Sequence, residues 1–241
     1  WVSSFHSLAS DRNIDPPKRE VETERRLANA ADTNISVSEI VREDVKELYG
    51  ADSRVVYNGF SKPKFSGKDV RADLEIDGEM LFFVGRHTDQ KGISHLLYAM
   101  KKLRGRDVTL VIGGSGHQTE QLKRFAELVG IDDAVEFVGY VPEAELGDYY
   151  AASDAFVSPS FSEPFGITIT EALEAGTQVV STRCGAAEIL PKDCLVEVTP
   201  DSESIVDGLV TALDRESLPE YERRDWSEVA GDTLEVYEDV A

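Results

Sequence analysis

A chain of 241 residues, 41% hydrophobic and 8% aromatic, is long enough for one large domain or two small ones and too apolar to read as disordered. Its 46 Asp and Glu against 25 Lys and Arg leave a formal net charge of −21, which argues against nucleic acid as a partner because phosphate recognition needs a basic footprint. The acids recur along the whole chain and only ten of the basic residues are Lys, the pattern of a solvated surface suited to high salt; an ordinary acidic enzyme is the alternative, and neither reading bears on activity.

In chain order, residues 1–5 read as a strand, 18–31 as a helix and 34–37 as a second strand. Asn34-Ile35-Ser36 matches a glycosylation sequon but falls in that strand and reads as chance. Ser38 offers an N-cap to a helix with Val41, Val45 and Leu48 inward, residues 54–57 form a last strand, and Asn58-Gly59 a turn. This is about half of an α/β domain, spanning 1–58. It opens without a first strand or a glycine loop, as expected of the later part of something longer. Residues 59–79, with Pro63 and mixed charge, read as a linker.

From residue 80 the pattern becomes regular. Short apolar runs at 80–84, 108–112, 135–138, 155–157 and 179–180 alternate with amphipathic helices. One carries Ile93, Leu96, Leu97, Met100 and Leu103 on a single face; another carries Leu122, Phe125, Ala126 and Val129. Such alternation predicts parallel strands with crossover helices, a doubly wound α/β domain over residues 80–215. Residues 216–241 hold a final helix with Trp226, Val229, Ala230, Thr233, Leu234 and Tyr237 on one face, which needs a surface to cover and is expected to cross back to the first region. Cys184 and Cys194 lack metal-ligand spacing and read as buried thiols. No apolar run approaches the ~20 residues of a membrane span and no signal-peptide pattern is present, so the cytosol is the simplest address.

Open α/β sheets bind ligands beyond the carboxyl ends of their strands, which directs attention to three loops. After residues 80–84 comes Gly85-Arg86-His87-Thr88-Asp89-Gln90-Lys91-Gly92. Gly85 permits a close turn, and Arg86 and Lys91 set two cations beside a helix N-terminus, an anion site unless both are simply solvated. After 108–112, Gly113-Gly114-Ser115-Gly116 lacks the full dinucleotide fingerprint and reads as a tight strand-to-helix turn. After 155–157, the loop 158–168 is stiffened by Pro159, Pro164 and Gly166. Glu163 lies in it, and Glu171 sits eight positions later, one turn into the following helix. Carboxylates accept hydrogen bonds from sugar or ribose hydroxyls, while Phe165, Gly166 and Ile167 offer backbone N–H groups to a phosphate. Taken singly, Glu171 also reads as a first-turn acid favoured by the helix dipole and Glu163 as a surface charge. A glycoside hydrolase would use paired acids too, but would leave Arg86 and Lys91 without a role. A sugar carrying a diphosphate accounts for all four charges.

The series Gly85-Arg86…Lys91-Gly92, Phe137-Val138-Gly139-Tyr140-Val141-Pro142 and Glu163-Pro164-Phe165-Gly166 with Glu171 resembles the GT-B retaining glycosyltransferases of family 4, glycosyl transferases group 1. Upstream, Phe5-His6-Ser7-Leu8, Glu24 with Ala31-Asp32, Ser38 and Tyr57-Asn58-Gly59 are similar to that family's first domain from its middle onward. The resemblance covers nearly the whole chain and implies two Rossmann-like units, the second complete. It implies that Arg86 and Lys91 hold the donor diphosphate and stabilise the leaving nucleotide, that Glu171 binds the ribose and Glu163 the transferred sugar, and that Phe165, Gly166, Ile167 and Thr168 line the sugar and phosphates. Val138 sits against the base, and Gly85 lets the loop approach. His6 matches a histidine near the reacting sugar, its alternative being a strand-end surface side chain. The donor implied is a UDP- or GDP-sugar, with no metal or other cofactor, and the acceptor a carbohydrate or a lipid-linked group. No basic amphipathic stretch supports membrane association.

Three departures stand out. The family's first strand and glycine-rich loop are missing, Gln178 stands where Pro is usual, and Ala186-Ala187 replace Gly and Pro. Closure of the two domains builds the acceptor site in such enzymes, so a chain that binds a nucleotide sugar without transferring it, and a GT-B UDP-sugar epimerase, stay open beside the hexosyltransferase reading.

Overall fold

The computed structural model describes residues 1–9 and 16–241 and contains two parallel sheets. The smaller holds β1 (Val2–Phe5), β2 (Thr33–Ser36) and β3 (Arg54–Val55) in that spatial order, connected through α1 (Lys18–Ala30) and α2 (Glu39–Tyr49). Ser38 caps α2, its hydroxyl accepting from the Val41 N–H, and Gly50 ends the helix at φ 70°. The inward positions are Val41, Val45 and Tyr49; Leu48, expected on that face, is exposed. Tyr49 takes the core position because its ring packs on Phe5 at 6.1 Å while its hydroxyl donates to the Glu24 carboxylate on α1. The third strand is shorter than the expected 54–57, although the Val56 N–H still donates to the Ser36 carbonyl at 2.9 Å.

Residues 59–79 contain a short helix, α3 (Val70–Asp73), and are strapped to the larger unit. The Ser66 N–H and hydroxyl donate to the Asp148 carboxylate at 2.8 and 2.6 Å, and the Gly67 N–H at 3.1 Å. Burial works to raise the pKa of Asp148, and these hydrogen bonds outweigh it and hold the acid below its ordinary value.

The larger sheet holds β4 (Glu79–Val84), β5 (Val108–Gly113), β6 (Val135–Gly139), β7 (Ala155–Ser158), β8 (Gln178–Ser181) and β9 (Val196–Glu197), in the order β6-β5-β4-β7-β8-β9. All pairs are parallel, and α4 (Ile93–Lys102), α5 (Thr119–Val129), α6 (Leu146–Ala152), α7 (Ile167–Glu174) and α8 (Ser202–Leu213) complete the doubly wound unit. Successive side chains of each strand enter opposite cores, which is why both faces are apolar. Leu81, Phe83, Leu110 and Ile112 pack with Leu96, Leu97, Leu122 and Leu209. Met80, Phe82, Val111 and Phe156 pack with Tyr149, Tyr150 and Ile169, and this second core runs on through Phe60 and Phe165 to Val41 and Val45 of the smaller unit.

The last helix, α9 (Trp226–Glu238), starts with a capping box between Asp225 and Glu228. It lies against the smaller sheet, where Val236 is buried with Ile35 and Val56, and Val229 packs beside them. The expected face is therefore corrected: Leu234 and Tyr237 are exposed, and Val229, Thr233 and Val236 turn inward. The Trp226 ring covers Gly59, where a Cβ would lie 2.9 Å from it, and its indole N–H donates to the Ser61 hydroxyl at 2.7 Å.

Candidate functional site

The order of progression in the larger sheet reverses between β4 and β7, so their following loops part in opposite directions and leave a crevice at the carboxyl edge. The loop after β4 carries Gly85, Arg86 and Lys91, and the loop after β7 carries Glu163. Packing between the two loops is close. Gly92, at φ 62°, starts α4, and a Cβ there would lie 2.1 Å from the Pro159 carbonyl oxygen. The Phe161 N–H donates to the Gln90 carbonyl at 2.8 Å. Lys91, in a 3₁₀ turn (Asp89–Lys91), places its ammonium 2.8 Å from Glu163 Oε2, and both side chains are largely shielded from solvent. Ser160 donates to the same carboxylate oxygen at 3.1 Å, and its own carbonyl is held by the Thr182 hydroxyl at 2.6 Å. Arg86 is exposed and forms no ion pair with a described residue.

Gly113-Gly114-Ser115-Gly116, read as a tight turn, braces the cationic loop. Gly85 and His87 donate through their N–H groups to the carbonyls of Gly113 and Ser115 at 3.2 and 3.0 Å. A Cβ on Gly114 or Gly116 would lie 2.0 or 2.4 Å from the carbonyl oxygens of Gly85 and His87, so these glycines allow backbone to lie on backbone. His87 is buried, with Nδ1 2.8 Å from the Thr119 hydroxyl and Nε2 3.3 Å from the Gly113 carbonyl, and burial lowers its pKa. Val138, half-buried at the end of β6, stands beside Gly139, whose carbonyl accepts from the Gly114 N–H at 2.6 Å. The β4, β5 and β6 loops thus form one continuous rim.

Gly166, at φ 94°, turns the chain into α7, leaving Ile167 exposed, Thr168 half-buried and Phe165 buried against Phe60 at 6.5 Å between ring centres. Glu171 is set differently from Glu163. Its Oε2 accepts from the hydroxyl of Tyr150 at 3.1 Å. Burial pushes its pKa up; the Tyr150 hydrogen bond opposes this, and the charge of Glu143 adds to it.

The smaller unit reaches this rim through contacts that no sequence pattern signalled. The Ser38 hydroxyl donates to the Pro164 carbonyl at 2.7 Å. Gly185 fills the angle between them, since a Cβ there would lie 2.4 Å from that carbonyl oxygen and 2.6 Å from Ser38 Cβ. The Glu188 carboxylate accepts from the Glu39 and Ile40 N–H groups at 2.8 and 3.1 Å, a side-chain cap on α2 donated from the other unit. Burial, with the adjacent Glu188 charge and hydrogen bond, pushes Tyr57 up to about 12. His6 is exposed after β1 with Nε2 3.2 Å from the Ser4 hydroxyl, and among the described residues it bonds to none of the cluster. Cys184 and Cys194 are buried thiols, Cys184 pushed to about 11 by burial. No group of His, Cys, Asp and Glu able to hold a metal ion is found among the described residues, and no described helix is long and apolar enough to cross a membrane.

The model of the family described as glycosyl transferases group 1 matches residues 68–230. The chain belongs to that family. It is 33% identical over 229 residues to an uncharacterised glycosyltransferase of Methanocaldococcus jannaschii, covering 84% of this chain and 59% of that one. It is also 33% identical over 274 residues to a D-inositol 3-phosphate glycosyltransferase of Catenulispora acidiphila, covering 98% and 64%, and 32% identical over 223 residues to a phosphatidyl-myo-inositol mannosyltransferase of Mycobacterium leprae, covering 86% and 59%. The chain thus spans about three-fifths of the length of the curated relatives it matches. Among solved structures it superposes on a sucrose-phosphate synthase from Thermosynechococcus elongatus with a TM-score of 0.82 at 23% identity, covering 100% of this chain and 67% of the other. It superposes on the Anabaena HepE protein in complex with UDP and glucose with a TM-score of 0.83 at 20% identity, covering 98% and 71%. The fold is GT-B.

Proposed function

We propose that the chain carries the donor-binding machinery of a retaining hexosyltransferase of family 4, which moves a sugar from a UDP- or GDP-sugar to an acceptor hydroxyl on a sugar, glycan or lipid-linked group. One observation carries the reading: where the loops after β4 and β7 meet, the Lys91 ammonium lies 2.8 Å from the Glu163 carboxylate, with Arg86 on the first of these loops and Glu171 on the helix that follows the second. Arg86 and Lys91 hold the diphosphate and stabilise the charge that develops on the leaving nucleotide, fixed charge that needs no reorganisation during the reaction. Glu171 takes the ribose hydroxyls, and Glu163 the hydroxyls of the transferred sugar. The backbone of Phe165, Gly166 and Ile167, with Thr168, lines the sugar and phosphates. Gly85 keeps the cationic loop close, Val138 lies against the base, and His6 belongs to the acceptor side.

In the step proposed, the bond from the sugar's anomeric carbon to the phosphate oxygen breaks and a bond from that carbon to the acceptor oxygen forms on the same face. The acceptor's proton passes to the departing phosphate. Relatives named for inositol phosphate and phosphatidylinositol make polyol acceptors the first to try.

Calorimetry with UDP-, GDP- and ADP-sugars identifies the donor, and product analysis with an acceptor panel tests transfer. Donor affinity with acceptor-dependent product is the expected result. Affinity without any acceptor-dependent turnover would reduce the chain to a binding module.

A further inference from the structure

Tyr150 is wholly buried on α6, with its ring edge-on to Phe82 of β4 at 5.5 Å and to Phe156 of β7 at 5.3 Å. It therefore packs on the sheet face across the two paired strands that border the crevice. Its main chain is fixed as well: the Tyr150 carbonyl accepts from the Thr177 hydroxyl at 2.6 Å and from the Ser153 N–H at 3.0 Å. With ring and backbone both held by these contacts, the phenol has one proton to give, and Glu171 Oε2 accepts it at 3.1 Å. A donor held on one carboxylate oxygen restrains the group and leaves Oε1 for a ligand.

We infer that Tyr150 is a positioning residue of the nucleotide site, its hydroxyl holding the Glu171 carboxylate so that the other oxygen accepts from a ribose hydroxyl. This rests on the role proposed for Glu171. The groups that face this carboxylate are Tyr150 from α6 and Glu143 from the segment before it, the latter paired with Lys64 at 2.7 Å. Burial and Glu143 both favour the protonated acid, and the phenol is the group that opposes them. A diol hydrogen-bonds the ionised carboxylate, so donor affinity rises with pH through the elevated pKa of Glu171. Removing the phenol moves that rise to higher pH.

The test is calorimetry from about pH 4.5 to about pH 8.5, using whichever of UDP-, GDP- and ADP-glucose the parent binds. A sugar nucleotide is the right probe because it lacks the phosphate proton that a terminal phosphate loses near pH ~6. Tyr150→Phe is expected to weaken binding about tenfold at neutral pH, the size of one hydrogen bond to a charged group, and to move the midpoint upward. Tyr150→3-fluorotyrosine, which keeps the ring and strengthens the donor, is expected to move the midpoint downward and keeps the inference open to refutation if the Phe variant fails to fold. Glu171→Gln flattens the profile. Tyr221→Phe removes a comparable phenol–carboxylate bond on the same helix, 3.1 Å to Glu174, and is expected to leave the midpoint in place. A Tyr150→Phe protein with the parent's affinity and midpoint, beside a Glu171→Gln protein that has lost both, would overturn the inference while leaving Glu171 in its role. A parent that binds none of the three, or a Glu171→Gln protein identical to it, would overturn the role of Glu171 and the inference together.

Discussion

The two carboxylates of the site are eight residues apart and are held by opposite physics. Glu163 has a cation at 2.8 Å and a serine hydroxyl at 3.1 Å on the same oxygen, so its charge is compensated before any ligand arrives. Glu171 has no cation partner among the described residues, only the phenol of Tyr150, and burial drives it toward the protonated form. An acid ion-paired to the lysine proposed to hold the diphosphate suits a group that works where charge develops. A half-buried acid with one oxygen committed suits a group that recognises a neutral diol. Spacing alone makes the two acids look equivalent, whereas their surroundings differ and match the different tasks proposed for them.

Removing the cation is the most severe perturbation of the Lys91–Glu163 pair. Lys91→Ala strips Glu163 of its partner and the proposed diphosphate of a contact, and steady-state kinetics on the parent's donor are expected to show turnover down about 100-fold or more. Next comes Gly92→Ala, which sets a Cβ 2.1 Å from the Pro159 carbonyl and forces the left-handed turn to change. It is expected to separate the two loops and lower donor affinity about 10-fold or more by calorimetry, with Lys91 itself still present. Ser38→Ala removes both the α2 cap and the bond to Pro164, and chemical denaturation should register a loss of about 1–2 kcal/mol.

The smallest effect has the opposite sign. Because the folded-state pKa of Glu171 is raised, its contribution to stability is fully present below the ordinary carboxylate pKa and is lost as pH rises through the raised value. At neutral pH the ionised acid therefore costs stability. Glu171→Gln is expected to melt about 1–3 °C higher than the parent in a thermal scan while binding donor less well.

The alternating strands and helices after residue 79 were legible from periodicity because the central strands β4, β5, β7 and β8 are buried on both faces and so appear as short apolar runs. Arg86, Lys91, Glu163 and Glu171 were legible because each is a polar residue that interrupts an apolar rhythm, the first three in the loops after β4 and β7 and Glu171 in the second turn of α7 rather than the first turn expected. The supports were not. Tyr150 reads as one more apolar residue of an amphipathic helix, and its hydroxyl gains meaning only when α7 packs beside it. Ser38 shows as an N-cap, but its second bond, to Pro164, spans 126 positions. Glu188 carries no local signal, since the helix it caps lies in the other unit. On α9 the expected face holds at Val229 and Thr233, but Val236 completes it in place of Leu234 and Tyr237. Likewise Leu48 and Tyr49 are adjacent candidates that packing against Phe5 decides.

The division of labour between the two acids is tested most directly by titrating the parent, Glu163→Ala and Glu171→Ala with a nucleoside diphosphate and with the matching sugar nucleotide. The expected outcome is that Glu171→Ala weakens both ligands, whereas Glu163→Ala keeps the parent's affinity for the diphosphate, loses the increment contributed by the sugar and turns over more slowly. The reverse ordering, with Glu163→Ala the weaker binder of the free diphosphate, would contradict the assignment.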